Sequence, residues 1–285
     1  MEIEQLEKVA SQVRRDIVRM VHGCQSGHPG GSLGCTEILV ALYFDSMKIK
    51  EENGKAIFDM NGTGEDLFFL SNGHISPVWY SVLAHRGYFP VAELATFRKL
   101  DSRLQGHPTT HEHLEGIRIA SGSLGQGMSV AIGAAYAKKL NKDNSTVYVL
   151  MGDGEQQEGQ VWEAATFAPH HEMDNLIAFI DLNGQQIDGP TVKVMNNRDL
   201  GAKYSAFGWE VISVEDGNDM AAVVKGVKEA KSKLGQGKPV MVLLHTGMGY
   251  GVDFMMGSHK WHGVAPNDAQ LAEALGQLEE TLGDY

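Results

Sequence analysis

Cysteine is almost missing from this chain. Its 285 residues include two, Cys24 and Cys35, too few for a disulfide framework and lacking metal-ligand spacing, so both read as structural thiols. No apolar run approaches the roughly 18 to 20 residues that span a bilayer. The opening Met1-Glu2-Ile3-Glu4 starts an acidic, amphipathic helix unlike a basic signal segment, which makes the cytoplasm the expected compartment. Positive charge is also short: 24 Lys and Arg stand against 36 Asp and Glu, a net charge of −12. With no dense Lys/Arg block, neither nucleic acid nor an anionic membrane surface is an expected partner. Internal repeats, low-complexity tracts and Ser/Pro linkers are absent too. An apolar content of 42% suffices for a sizeable core, and one large domain over residues 1–285 is the expectation.

Glycine, by contrast, is abundant, with 34 residues. The most informative of them lie in Gly152-Asp153-Gly154, preceded by the apolar, β-branched run Thr146 to Met151 and followed by a helical segment, Glu158 to His170, and a second apolar run, Leu176 to Ile180. This reads as one strand–helix–strand unit. A right-handed crossover places the carboxyl ends of both strands on one edge of a sheet, where open α/β sheets bind ligands. Asp153 and Asn183 then converge despite their separation in sequence. Magnesium takes oxygen ligands at about 2.1 Å, one or two of them from protein carboxylates and the rest from phosphate and water. Asp153, the Asn183 amide oxygen and a backbone carbonyl suit it, with Gln185 completing the set. Gly154 lets its backbone approach a phosphate, and the helix that follows offers unpaired N–H groups.

Leu6, Val9, Ala10, Val13, Ile17 and Val21 recur at helical spacing, so the first twenty-odd residues form a one-faced helix ending near Gly27, with a loop beyond it. Further helices are expected near Cys35–Met47, His74–Arg86, Val91–Leu100, Met128–Leu140, Ala221–Leu234 and Asp268–Leu282. The apolar runs Trp209–Val214 and Val240–Leu244 add strands. The expected fold class is α/β, a doubly wound, mostly parallel sheet with helices on both faces. His28, His74, His107 and His262 each lie beside Gly or Pro in an expected loop, where function concentrates. Imidazole there can donate to a phosphate or a sugar oxygen, or move a proton near neutral pH.

The string GDGEQQEGQVWEAATFAPHHEMDNLIAFIDLNGQQIDGPT, Gly152 to Thr191, resembles the cofactor motif of the transketolase family. SGHPGGSLG (Ser26 to Gly34), FLSNGH (Phe69 to His74), GHP (Gly106 to Pro108), GSLGQG (Gly122 to Gly127) and WHG (Trp261 to Gly263) match that family in the same order. The resemblance implies a thiamine diphosphate-binding fold, thiamine diphosphate with Mg²⁺ (or Ca²⁺ or Mn²⁺ in its place), and transfer of a two-carbon glycolaldehyde unit between sugar phosphates. It implies that His74 and His262 contact the diphosphate near the reacting centre, and that His28 and His107 bind donor-sugar hydroxyls. Gly122, Ser123 and Leu124 would lie along the cofactor rings, Ile187 would pack on the cofactor, and Glu158 and Glu163 would link two cofactor sites across a subunit interface. Only the amino-terminal domain of a full-length transketolase is matched. The expectation is therefore a C-terminal transketolase subunit as partner, carrying the pyrimidine-binding domain and its activating glutamate, in an α₂β₂ heterotetramer, with the lone chain inactive.

Three other readings share some of these features. A specialised transketolase acting on a branched or sulfonated sugar would carry the same motifs. Related thiamine enzymes, such as deoxyxylulose-phosphate synthase or a dehydrogenase subunit, share the Gly-Asp-Gly…Asn element, but GHPGGSLG with GSLGQG favours transketolase. A non-catalytic cofactor-binding module would need Asp153 and Asn183 but not four loop histidines. A dinucleotide site is not supported, because Gly122 to Gly127 lacks the G-x-G-x-x-G spacing and no ribose-binding acid follows.

Overall fold

The computed structural model describes all residues, 1–285. At its centre lie five strands, β1 (Leu67–Leu70), β2 (Val147–Gly152), β3 (Leu176–Leu182), β4 (Glu210–Val214) and β5 (Val240–His245). Their order across the sheet is β1-β2-β3-β5-β4, and every pairing is parallel. Side chains alternate between two cores: Val147, Val149 and Met151 of β2 face one, Tyr148 and Leu150 the other. Strands covered on both faces need apolar residues at every position, which is why β2 and β3 read as unbroken hydrophobic runs.

Ten helices surround the sheet: α1 (Ile3–Cys24), α2 (Pro29–Gly34), α3 (Thr36–Ala41), α4 (Ser76–His85), α5 (Gly127–Leu140), α6 (Gly159–His170), α7 (Thr191–Val194), α8 (Leu200–Phe207), α9 (Met220–Ser232) and α10 (Asp268–Gln277). Helices α1, α3, α4 and α9 bury apolar faces in the first core, and α5, α6 and α8 in the second. On α1, Leu6, Val13, Ile17 and Val21 are fully buried. Each such side chain contributes about 1.5–3 kcal/mol, so packing of this stripe outweighs intrinsic helix propensity. The helix stops where Gln25 takes a left-handed φ of 50° and returns its N–H to the carbonyls of His22 and Val21.

The β2–α6–β3 unit forms as expected, with Gly152 paired to Asp181, so Asp153 and Asn183 leave adjacent strands together. Three expectations need correction. The glycine-rich segment after Gly27 is not all loop, because Pro29–Gly34 forms α2 with Pro at its start, buried under neighbouring loops. Val91–Leu100 is not an α-helix: it begins as a 3₁₀ turn, Val91–Thr96, and then breaks, with Arg98 and Asp101 at φ of 56° and 61°. The last helix ends at Gln277, before Leu282. Gly154–Gln157 makes a 3₁₀ turn, and α6 then begins at Gly159, as the expected helix from Glu158 to His170 has it.

Beyond α10 the chain lies across α1. Asp284 accepts from Arg15 Nε at 2.9 Å and Nη2 at 2.7 Å, and Gln12 Nε2 donates to it at 3.0 Å. Arg15 also donates to the carbonyls of Leu275 and Leu278. The Arg15 guanidinium holds the Asp284 carboxyl down at about 2. No helix is long and apolar enough to cross a membrane.

Candidate functional site

The carboxyl ends of β1, β2 and β3 open onto a cleft of about 280 Å³. Of the residues singled out in the sequence, His28, His74, Gly122, Leu124, Asp153, Gly154, Asn183, Gln185, Ile187 and His262 line it, as does Glu158. Ser123 and His107 are exposed outside the lining, with the His107 ring beside that of His28. Glu163 lies away from the cleft, in a groove between α5 and α6.

The four histidines arrive from four separate segments. His28 precedes α2, His74 lies within a 3₁₀ turn after β1, His107 follows Gly106 in irregular chain, and His262 ends a 3₁₀ turn. His74 and His262 are thus in short turns of helix, where the sequence pattern predicts loops. Ring centroids are 5.0 Å apart for His28 and His74, 5.5 Å for His28 and His262, 5.0 Å for His74 and His262, and 6.3 Å for His28 and His107. Gly122 permits the approach of His107: with φ at +117°, a Cβ there would sit 2.4 Å from the ring. Burial, followed by the charge of His262, Arg98 and His107, pushes His28 down to about 4. Burial is also the largest cause of the lowered values of His74, His107 and His262. At neutral pH all four rings are therefore neutral, each with one N–H to donate and one nitrogen to accept.

At the other end of the cleft, Asp153 is 5% exposed and accepts the N–H of Gly154 at 2.7 Å and of Gly184 at 2.8 Å. The Asn183 side chain donates to Asp181 at 2.7 Å and accepts the Gln185 N–H at 2.8 Å. Asp181, buried at the end of β3, also takes the Thr246 hydroxyl. Burial, then the nearby Asp181, lifts Asp153 to about 7. Two close carboxylates without a Lys or Arg partner leave negative charge that a cation would offset. His28 Nδ1, Asn72 Oδ1 and Gln185 Oε1 are buried without partners, and all three residues line the cleft. No group of three His, Cys, Asp or Glu side chains is arranged to hold a metal ion by itself, so a cation here would need the Asn183 amide and further oxygen ligands beside Asp153. A hard divalent ion shared with an anionic group meets that need, and the residues present fit it.

Asp181, Glu155, Asn72 and Arg98 escaped sequence reasoning. The one available signal was Asp181, a charged residue inside an apolar strand run. Arg98 donates to the Ser26 hydroxyl at 2.8 Å, and its guanidinium lies against Gly106, bridging the segments that carry His28 and His107.

A parallel sheet with a polar cleft at its carboxyl edge has the architecture of an α/β ligand-binding protein, and comparison with known proteins specifies which. The profile of "Transketolase, thiamine diphosphate binding domain" matches residues 5–281. The chain belongs to the transketolase family, as its N-terminal, thiamine diphosphate-binding part. It is 36% identical over 282 residues to an apulose-4-phosphate transketolase subunit of Phocaeicola vulgatus, covering 99% of this chain and 96% of that protein. It is 38% identical over 275 residues to the 6-deoxy-6-sulfo-D-fructose transketolase subunit SqwG of a Clostridium species, covering 96% of each. The solved transketolase of Campylobacter jejuni superposes with a TM-score of 0.87 at 31% identity, over 98% of this chain and 43% of that one. The chain thus spans about two-fifths of the length of that solved transketolase, whereas it matches the two subunit relatives nearly end to end.

Proposed function

We propose that this chain is the diphosphate-binding half of a two-chain, thiamine diphosphate- and Mg²⁺-dependent transketolase that moves a two-carbon glycolaldehyde unit from a ketose phosphate to an aldose phosphate. The observation that carries this reading is one cleft with three neutral imidazoles in its lining and a fourth beside them at one end, and Asp153, Asn183 and Asp181 at the other. Asp153, the Asn183 amide oxygen and the Gln185 backbone hold the cation, and Asp181 orients the Asn183 amide. Gly154 lets the diphosphate approach, and His74 and His262 donate to it. Gly122 and Leu124, joined through the Ser123 backbone, form the wall along the rings, with Ile187 covering the opposite side. His28 and His107, neutral at working pH, donate N–H groups to sugar hydroxyls and accept protons at their free ring nitrogens. Bound thiamine diphosphate supplies the electron sink for breaking the carbon–carbon bond. The pyrimidine-binding domain comes from a partner chain, the C-terminal transketolase subunit of an α₂β₂ heterotetramer, in the cytoplasm. Support for the partner comes from the relatives named as subunits, which align over nearly their full length.

The substrate reading has a specific competitor. Both subunit relatives are named for particular sugars, apulose 4-phosphate and 6-deoxy-6-sulfo-D-fructose. The test is glycolaldehyde transfer from xylulose 5-phosphate to ribose 5-phosphate, with thiamine diphosphate and magnesium, by the lone chain and by the complex isolated from its native cells. Turnover only by the complex supports the two-chain reading, and turnover by the lone chain refutes it. A complex that is inactive on these sugars but active on apulose 4-phosphate or 6-deoxy-6-sulfofructose establishes the specialised reading.

A further inference from the structure

Glu155 is a buried carboxylate, 2% exposed, that no Lys or Arg neutralises. Its partners are all donors from motif segments far apart in sequence. Oε1 accepts the Ser71 hydroxyl and the N–H of Gly125 at 2.7 Å, and Oε2 accepts the N–H of Gly152 at 3.1 Å. Ser71 in turn accepts the N–H of Gly127 at 3.1 Å. One carboxylate, directly or through one hydroxyl, thus joins the end of β1, the end of β2 beside Asp153 and the Gly122–Gly127 loop. Burying a charge this way is costly unless each oxygen is occupied, and here each is.

We propose that Glu155 is a positioning residue that holds the Gly122–Gly127 loop, the wall for the cofactor rings, in fixed register with the strand end carrying the cation ligand Asp153. The inference rests on the reading that this cleft takes thiamine diphosphate. Glu155 borders the cleft, but both its carboxylate oxygens are taken up by the protein's own donors, so it acts through the backbone segments that carry them. The loop has few other anchors on this side, since Gly125 and Gly127 direct their N–H groups to this network. An acceptor-only group is required. In Glu155→Gln the amide nitrogen, whichever way it turns, faces a backbone N–H of either Gly125 or Gly152, so one bond is lost and a donor is left opposed.

The test uses the full chain in its native assembly. Thiamine diphosphate binding with magnesium is measured by calorimetry, and amide hydrogen exchange is followed across residues 122–127. Glu155→Gln should weaken cofactor binding at least tenfold and speed exchange at Gly125 at least tenfold, while turnover at saturating cofactor returns to within about threefold of wild type. Ser71→Ala, which removes the relay to Gly127 but keeps the carboxylate, should show the same pattern more weakly, and it decides the matter if Glu155→Gln does not fold. Wild-type affinity and wild-type loop exchange in either folded variant overturn the proposal. So does a lowered melting temperature with unchanged cofactor affinity, the mark of a purely structural role. If the wild-type assembly itself binds no thiamine diphosphate, the functional reading fails separately, and loop exchange still judges Glu155.

Discussion

Replacing Gly30 with alanine sets two opposing effects against each other at the histidine end of the cleft. Gly30 lies inside α2, where alanine is intrinsically favoured by about 1 kcal/mol over glycine. Yet its Cβ would lie 2.8 Å from the Trp261 carbonyl oxygen and 2.8 Å from Met248 Cγ. Met248 can turn aside, but a backbone carbonyl cannot move freely. Carbon–oxygen contacts settle at about 3.3–3.6 Å, so α2 and the Trp261–His262 segment must separate by about half an ångström. Overpacking of this kind costs about 1–3 kcal/mol. The two effects nearly offset, and the melting temperature should fall by only a few degrees. Catalysis has no such compensation, because α2 follows His28 and the displaced carbonyl precedes His262, whose ring lies 5.5 Å from that of His28. Misplacement by 1 Å is worth about 10²-fold in rate, so half of that predicts roughly a tenfold loss of turnover. The assay is glycolaldehyde transfer by the assembled enzyme alongside thermal unfolding. Gly23→Ala serves as control, since a Cβ there meets nothing within 4 Å; it should match or exceed wild-type stability at unchanged rate. Wild-type turnover in Gly30→Ala would refute the argument that this contact sets the spacing of the two histidines.

Two further outcomes follow from the two ends of the cleft. Thiamine diphosphate with magnesium at 100 times its dissociation constant should stabilise the wild-type assembly by about 2.7 kcal/mol; chelation, or Asp153→Ala, should remove that increment in thermal unfolding, and an increment persisting in the variant would place the cation elsewhere. The histidine cluster makes the cofactor-free chain acid-sensitive. His28 is held at about 4, against 6.5 for a free imidazole. The unfolded chain therefore binds protons that the folded one excludes: stability is complete above about 6.5 and declines as pH falls towards 4. Denaturation midpoints between pH 7.5 and 4.5 should fall less steeply for His28→Asn than for wild type, and equal slopes would count against a neutral His28.

The β2–α6–β3 unit was legible because its strands are long, apolar and bounded by glycine, and because crossover handedness is a general rule; Asp153 and Asn183 followed from it. β1 was not, since Leu67–Leu70 is only four residues long and shows no alternation, although the Asn61-Gly62-Thr63-Gly64 turn precedes it. α2 read as loop because three of its six residues are glycine, each unfavourable to a helix by about 1 kcal/mol. Packing against Ile75, Met248 and Trp261 overrides that preference. The family resemblance supplied the histidine set, and the fold brings three of the four into the cleft lining and the fourth beside them. What stayed hidden were the supporting groups: Glu155 and Asp181 act through partners up to 84 residues away, and nothing in a local pattern encodes such pairings. Ser123 shows the converse, for its neighbours Gly122 and Leu124 face the cleft while its own side chain does not.

The strap that lies over α1 has a consequence for how the protein is made. Arg15 finds its carbonyl and carboxylate partners 260 to 269 residues further along the chain. At about 5–20 residues per second, translation leaves roughly 15–50 s during which the first helix exists without them. Throughout that interval the polar side of α1 near Gln12, Arg15 and Arg19 stays open to water or to a chaperone. Helix α1 is thus made long before the segment that completes it and is among the last elements to be finished.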